Sequence, residues 1–182
     1  MTIKRIILSF IILISSLSAI AGGIGTWKSY LSYANIQWVE QGGNRLYVLA
    51  SNALYTYNKA DQSIQTYDKQ NGLSSIDIRF IGWNEVAKRL VIVYEDNNID
   101  LMDAKGNVTN VPDYYLKALT ADKTVYGIDM NGAYCYLSTG FGLVKLNVAK
   151  AEISDSYNLS FPVNYSYIDG CLSGDDRFGE LY

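Results

Sequence analysis

The sequence predicts an all-β fold, a β-propeller of about three and a half four-stranded blades that is incomplete as it stands. Apolar segments recur with starts at Arg45, Arg89 and Gly132, which are 44 and 43 residues apart. Each lies within the same succession of four short β-prone segments separated by turn residues. A four-stranded repeat of about 44 residues is the period of a propeller blade. A β-sandwich also has many short strands, but it does not predict so regular a recurrence.

The first predicted blade lies near 36–67. Its strands are predicted at Ile36–Glu40, Arg45–Ala50, Ala53–Tyr57 and Ser63–Tyr67. The Asn and Asp of the intervening segment Asn-Lys-Ala-Asp-Gln favour a tight reversal before the fourth strand. We expect the fourth strand to be the most polar, because it is the outermost strand of a blade.

The second predicted blade lies near 76–111. Its strands are predicted at Ile76–Trp83, Arg89–Tyr94, Asn98–Met102 and Asn107–Val111. The second of these is apolar at every position from Leu to Val, as expected for a strand covered on both faces by neighbouring blades. The segments Asp-Asn-Asn and Asp-Ala-Lys-Gly-Asn provide the turn residues on either side of the third strand.

The third predicted blade lies near 124–157, with a polar outermost strand at Glu152–Tyr157. An incomplete fourth blade is predicted at 164–182, because Asn164–Ile168 resembles the opening strand of a blade. Such a set of blades cannot close a ring and would expose a strand edge and an apolar face. We therefore expect the sequence to be part of a longer propeller, and to be aggregation-prone and marginally stable by itself.

The first 21 residues are predicted to be a signal peptide. Lys4 and Arg5 form a positive n-region, Ile6–Leu17 is apolar apart from serines, and Ala19-Ile20-Ala21 is an A-x-A cleavage site that places the mature start near Gly22. An uncleaved anchor is the alternative, but the apolar run is short for a span of about 20 residues. No Cys follows the site, which argues against a lipid-anchored leader. We expect an exported protein of the periplasm or cell surface that is not integral to the membrane after cleavage.

Composition narrows the function classes. The 182 residues carry a net charge of −3, or −5 without Lys4 and Arg5, and no basic run, which argues against nucleic acid as a partner. The chain has no histidine, so a Ser/His/Asp or Cys/His catalytic arrangement and most zinc sites are excluded. Cys135 and Cys171 could form a disulfide in an exported protein. We favour two separate buried thiols, because Cys135 lies within an apolar strand.

Two sequence motifs contain residues that could carry chemistry. Glu95, Asp96 and Asp100 could form a carboxylate pair or a calcium loop, but the loop lacks the glycine and the closing glutamate of an EF-hand. The favoured interpretation is a hairpin turn with a solvated acidic edge. Gly140-Phe141-Gly142 lacks the third glycine and the helix of a phosphate loop and is interpreted as a hairpin turn. The prediction is therefore no catalytic, cofactor-binding or metal-binding residue.

Aromatic residues are abundant, with 16 tyrosines. They could form a glycan-binding surface, or they could wedge between blades and cap the ring, which is the interpretation we favour. The candidates are Trp27, Tyr30, Tyr33, Trp38, Trp83, Tyr114 and Tyr115. Asn71-Gly72-Leu73-Ser74-Ser75 is interpreted as the crossing from the outer strand of one blade to the inner strand of the next.

The order of several motifs carries a family resemblance. Gly25–Tyr33, Val48–Asn52, Tyr67–Leu73, Asn98–Leu101 and Tyr136–Gly142 together resemble the PorZ-like β-propeller proteins of the Bacteroidetes type IX secretion system. The Asn-Gly-Leu-Ser element alone also resembles the regulator-propeller repeats of hybrid two-component regulators.

The resemblance implies a non-enzymatic component of type IX secretion and cell-surface attachment, with attachment-complex proteins and anionic lipopolysaccharide as partners and no cofactor. It also implies that a second propeller and a C-terminal β-domain are missing here. The alternative is the ligand-sensing periplasmic propeller of a hybrid two-component regulator. An enzyme such as a propeller lyase is the remaining alternative.

Overall fold

The computed structural model describes residues 31–158, which form three four-stranded antiparallel sheets, each with its strands in sequence order. The sheets are joined by the segments after β4 and β8, and the second connection contains one short helix, α1. The elements are β1 Ile36–Gly42, β2 Arg45–Ala50, β3 Ala53–Asn58, β4 Ile64–Tyr67, β5 Ile78–Asn84, β6 Arg89–Tyr94, β7 Ile99–Asp103, β8 Val108–Asn110, α1 Asp113–Leu116, β9 Val125–Asn131, β10 Tyr134–Thr139, β11 Gly142–Asn147 and β12 Glu152–Asn158.

These sheets confirm the predicted all-β, propeller-type fold, and each is called a blade below. The predicted signal peptide at 1–21 and the incomplete blade at 164–182 lie outside the described residues. Within residues 31–158, no helix combines the length and apolar character needed to cross a membrane.

Turn chemistry explains where the strands end. Ser51 and Asn52, between β2 and β3, both have positive φ, 48° and 62°. Such left-handed turns match the twist of a two-residue hairpin, and Asn tolerates them well. In the β7–β8 turn, the Asp103 carboxylate accepts hydrogen bonds from the backbone N–H groups of Lys105, at 2.8 Å, and Asn107, at 2.9 Å.

Two apolar cores hold the blades together. Between blades 1 and 2, β2 contributes Tyr47 and Leu49, while β6 contributes Leu90 and Ile92, all buried. Between blades 2 and 3, the other residues of β6, Val91 and Val93, pack with Cys135 and Leu137 of β10. Because side chains alternate across a strand, β6 contributes to one core with each face, which is why Leu90–Val93 is apolar at every position.

The structure corrects some predicted element bounds. β5 begins at Ile78 and not at Ile76, which is 66% exposed. The residue between them, Asp77, has a φ of 54°, so the extended strand starts only after it. The helix α1 was not predicted. It contains the buried residue Tyr114, whose hydroxyl donates a hydrogen bond to the backbone carbonyl of Lys123 at 2.6 Å. This bond joins two parts of the connection between β8 and β9.

Candidate functional site

A groove runs along the innermost strands of the three blades. Its volume is ≈ 760 Å³, and it is lined mainly by β1, β5 and β9. Cross-strand register places Trp38 of β1, Phe80 of β5 and Gly127 of β9 opposite equivalent positions of the second strands. The wall therefore changes from indole to phenyl to glycine at one level of the groove.

The two tryptophans at this groove have different surroundings. Trp83 stacks on Tyr47 with ring centres 5.3 Å apart and an interplanar angle of 17°. A Cβ atom at Gly42 would lie 2.6 Å from the same indole, so Trp83 fills the junction of blades 1 and 2. Trp38, in contrast, is 57% exposed, and its indole N–H donates to Glu40 Oε1 at 2.7 Å. Of the two tryptophans, Trp38 presents the more open aromatic surface to the groove.

The other aromatic candidates are dispersed. Tyr33 makes an edge contact with Tyr55 at 5.7 Å, and Tyr114 is buried beside Phe141. Tyr115 is 48% exposed on α1. Trp27 and Tyr30 lie outside the described residues. A wedge between blades therefore describes Trp83 but not Trp38.

The groove carries one cation that is already neutralised. Arg79 pairs with Glu95 at 2.9 Å, and its guanidinium lies 5.6 Å from the centre of the Phe80 ring and 5.7 Å from that of Tyr126. The carboxylates of Glu40 and Asp129 also line the groove, and within residues 31–158 neither forms an ion pair. The charge that remains in the groove is therefore negative.

The two carboxylates lie at matching positions. Glu40 is opposite Tyr47, and Asp129 is opposite Tyr136, which occupies the corresponding place in blade 3. The matching position of β5 is Gly82. The innermost strands thus present carboxylate, glycine and carboxylate in succession around the groove.

The acidic segment between β6 and β7 does not form one site. Glu95 is engaged by Arg79, while Asp96 accepts a hydrogen bond from the Ser75 hydroxyl at 2.7 Å. Asp100 lies on β7 and is fully buried, so the prediction of a solvated acidic edge is wrong for this residue. Among residues 31–158, no group of three or more Asp, Glu, Cys or His side chains is placed to hold a metal ion.

Asp100 instead fixes the crossing between blades 1 and 2. Its Oδ2 accepts hydrogen bonds from the Tyr94 hydroxyl at 2.6 Å and the backbone N–H of Ser74 at 2.8 Å. Its Oδ1 accepts one from the Asn110 amide at 2.8 Å. Burial raises the pKa of the Tyr94 hydroxyl, and the charge of Asp100 raises it further. Burial of a carboxylate is tolerable here because three donors surround it.

Asn71–Ser75 lies between β4 and β5, as interpreted from the sequence. The Asn71 side chain accepts from the backbone N–H of Asp68 at 2.7 Å, and Gly72 has a φ of 127°, which favours glycine. Leu73 is buried in the core between blades 1 and 2. The motif is therefore a structural connection with an anchoring side chain.

The remaining sequence candidates have structural positions. Gly140-Phe141-Gly142 forms the turn between β10 and β11, where Thr139 pairs with Gly142. Cys135 is fully buried and forms no disulfide within residues 31–158, and burial raises the pKa of its thiol. Its pairing with Cys171 is not tested, because Cys171 lies outside the described residues.

Consecutive four-stranded antiparallel blades around a groove of innermost strands define the class of protein as a β-propeller. The model of the family described as "TSS9, PorZ, N-terminal beta-propeller domain" matches residues 46–174. The chain therefore belongs to the PorZ N-terminal β-propeller family. None of the curated proteins matches the chain.

One solved structure gives the same assignment. PorZ of Porphyromonas gingivalis, described as an essential surface component of the type IX secretion system, is 33% identical with a TM-score of 0.68, over 73% of this chain and 18% of that one. This chain thus spans less than a fifth of the PorZ chain that it matches.

More distant structures share only the fold. The extracellular domain of a one-component system from B. thetaiotaomicron has 13% identity and a TM-score of 0.55, over 74% of this chain and 18% of that one. AztD from Citrobacter koseri has 14% identity and a TM-score of 0.54, over 71% of this chain and 35% of that one.

Proposed function

We propose that this chain is part of a non-enzymatic component of type IX protein secretion and cell-surface attachment, which binds attachment-complex proteins and anionic lipopolysaccharide. The observation that carries the proposal is membership of the PorZ N-terminal β-propeller family, together with 33% identity to PorZ over 73% of the chain. The protein acts after export, in the periplasm or at the outer-membrane surface.

A repeated lysine gives an anionic polymer a surface to bind. Lys59, Lys105 and Lys150 are exposed and lie in the turn between the third and fourth strands of blades 1, 2 and 3. Of the three, only Lys150 has an ion-pair partner within residues 31–158, namely Glu152 at 3.6 Å. A row of exposed lysines attracts a polymer with repeated negative charges, because each contact adds to the next.

Contacts between blades support placing these turns at one end of the structure. The Lys59 N–H donates to the Asn44 carbonyl at 2.9 Å, which joins the two turns of blade 1. Arg89, at the start of β6, donates to the carbonyl of Val148 at 3.1 Å, in the corresponding turn of blade 3. These contacts support placing Lys59, Lys105 and Lys150 at one end of the blades, called the lysine rim below. The groove is a poor site for the polysaccharide, because its unpaired charges are carboxylates.

Binding is tested with the purified full-length protein and immobilised anionic lipopolysaccharide. We expect the joint replacement of Lys59, Lys105 and Lys150 by Gln to weaken binding about tenfold, from about 0.5 kcal/mol for each exposed contact. The matched control replaces Lys69 and Lys117, on other connections, by Gln and should bind as the wild type does. Equal binding by both variants, or binding that is insensitive to salt, contradicts the lysine rim as the site.

The role in secretion is tested in the source bacterium. Deleting the gene should leave cargo proteins unattached to the cell surface, and the wild-type gene should restore attachment. Normal attachment in the deletion strain contradicts the proposal.

A ligand-sensing propeller of a hybrid two-component regulator is the second candidate. It rests on extracellular domains of such systems from B. thetaiotaomicron, with 15% and 16% identity and TM-scores of 0.55 and 0.54, a likeness of fold alone. The open reading frame distinguishes the candidates. A transmembrane helix and a kinase region would favour the sensor, and a second propeller with a terminal β-domain would favour the secretion component.

A further inference from the structure

Trp38 and Glu40 form a fixed pair on the wall of the groove. The hydrogen bond of 2.7 Å from the indole N–H to Oε1 holds the ring and the carboxylate together. The ring is 57% exposed, and Glu40 is partly buried. Among residues 31–158, no side chain or backbone group donates a hydrogen bond to Glu40 Oε2. The pair thus offers an aromatic face beside a free carboxylate oxygen.

The same unit occurs a second time with a cation bound to it. Trp83 donates its indole N–H to Glu85 Oε2 at 2.7 Å, and the Lys88 ammonium binds the other oxygen, Oε1. The hydrogen bond from Lys88, followed by that from Trp83, lowers the pKa of Glu85. A Trp-x-Glu unit of this chain therefore accepts a lysine on the oxygen that remains free in the first unit.

The surroundings of Trp38 and Glu40 favour a cation from elsewhere. Asp129 adds a second carboxylate at the matching position of β9, and the groove's arginine, Arg79, is already paired with Glu95. Gly82 lies between the two acidic positions and adds no side chain to the groove wall. A cation entering the groove of ≈ 760 Å³ meets negative charge on two blades and an open indole face.

We propose that the groove is a docking site for a lysine or arginine side chain on an extended segment of a partner protein. The ammonium or guanidinium group binds Glu40 Oε2, and its aliphatic stem lies along the face of Trp38. Packing of the stem on the indole and ion pairing are each weak at an exposed site, but together they select a basic segment over a neutral or acidic one. This site is distinct from the lysine rim, which has the opposite charge.

The test uses the full-length protein and an acetylated peptide of alternating glycine and lysine, with affinity measured by calorimetry and tryptophan fluorescence. Two further peptides, of glycine with serine and of glycine with glutamate, distinguish charge selection from general peptide binding. We expect the lysine peptide alone to bind, and its affinity to fall as salt is added. The measurement does not depend on secretion, so its failure and that of the proposed function are separable.

Two substitutions locate the site. Trp38→Leu and Glu40→Gln should each weaken binding of the lysine peptide about threefold to tenfold. Both positions retain solvent contact, so the thermal unfolding midpoint should change little, which shows that the variants fold. The matched control is Glu85→Gln, which alters the second unit and should leave affinity unchanged.

Three results would overturn the proposal. One is equal affinity for the serine and lysine peptides, which shows that the site does not select for positive charge. Another is wild-type affinity in the Glu40→Gln variant, which places the basic segment elsewhere. The third is an equal loss in the Glu85→Gln variant, which shows a general effect of negative charge.

Discussion

Replacing Asp100 tests whether one buried carboxylate holds the connection between blades 1 and 2. In Asp100→Ala, the hydroxyl of Tyr94 and the backbone N–H of Ser74 lose their acceptor. Asn110 keeps the carbonyl of Ile99 at 3.1 Å as an alternative partner. Leaving two donors unsatisfied at about 1–3 kcal/mol each gives an expected loss of about 2–6 kcal/mol in the free energy of unfolding.

Asp100→Asn separates shape from charge. The asparagine carbonyl can take the place of Oδ2 and accept from both Tyr94 and Ser74, so these two bonds lose only their charge-assisted part. Its NH2 group replaces Oδ1 and cannot accept from the Asn110 amide, which keeps the carbonyl of Ile99 as a partner. We expect a loss of about 1–2 kcal/mol. Tyr94→Phe should cost a similar amount, and combining it with Asp100→Ala should cost less than the sum, because the two residues share one hydrogen bond.

The measurement is urea unfolding of the full-length protein, followed by tryptophan fluorescence and by circular dichroism. Trp83 reports on this junction directly, since it stacks on Tyr47 between the two blades. A loss below about 1 kcal/mol in Asp100→Ala, or additive losses in the double variant, would refute the reasoning.

Three further predictions concern packing, backbone strain and pH. Gly42→Ala should lower the free energy of unfolding by about 1–3 kcal/mol, because its Cβ would lie 2.6 Å from the rigid Trp83 indole. Gly82→Ala should cost less, because its Cβ meets the flexible end of a methionine at 2.6 Å. Urea unfolding compares the two variants. Ala151→Gly should raise the thermal midpoint, because Ala151 has a φ of 58°, a strain of about 1 kcal/mol. Burial and the adjacent carboxylate raise the pKa of Tyr94, so the stabilisation linked to this residue is present below about pH 10. Above that pH, the free energy of unfolding should fall by about 1.4 kcal/mol per pH unit, and the fall should be smaller in Tyr94→Phe.

Contrary results are equally specific. Equal losses in the two glycine variants would show that the indole moves as easily as the methionine. An unchanged midpoint in Ala151→Gly would show that chain entropy offsets the strain, since glycine also adds freedom to the unfolded state. Stability that is constant up to pH 11 would show that the hydroxyl ionises freely in the fold.

The blade period was predictable because it depends on local chemistry. Asn, Asp and Gly mark the reversals, and a strand such as β6 must be apolar on both faces wherever two blades enclose it. The prediction that β12 is polar depends on the same reasoning, and six of its seven residues are exposed. The turn residues and the burial pattern of a strand can both be recognised within a few residues of sequence.

Asp100 could not be placed in this way. Its neighbours Glu95 and Asp96 are acidic and exposed, so Asp100 looks like part of an exposed acidic turn. The burial of Asp100 depends instead on hydrogen-bond donors from three other segments. Helix α1 was missed for a related reason. It is one turn long and depends on a buried tyrosine whose partner is the backbone of the same connection.

In the groove, equivalent positions of the three blades hold different residues, so the repeat does not predict them. On the second strands, β2, β6 and β10, the residues that pack in the two cores are apolar. On the innermost strands the equivalent positions hold Trp38, Phe80 and Gly127, three side chains of very different size. The two Trp-x-Glu units are not copies either, because the register partner of Trp38 is Leu49, whereas that of Trp83 is Leu90. Packing between blades accounts for Trp83 but leaves the exposed Trp38 unexplained, and a partner that uses its open face is the simplest physical reason for an indole at that position.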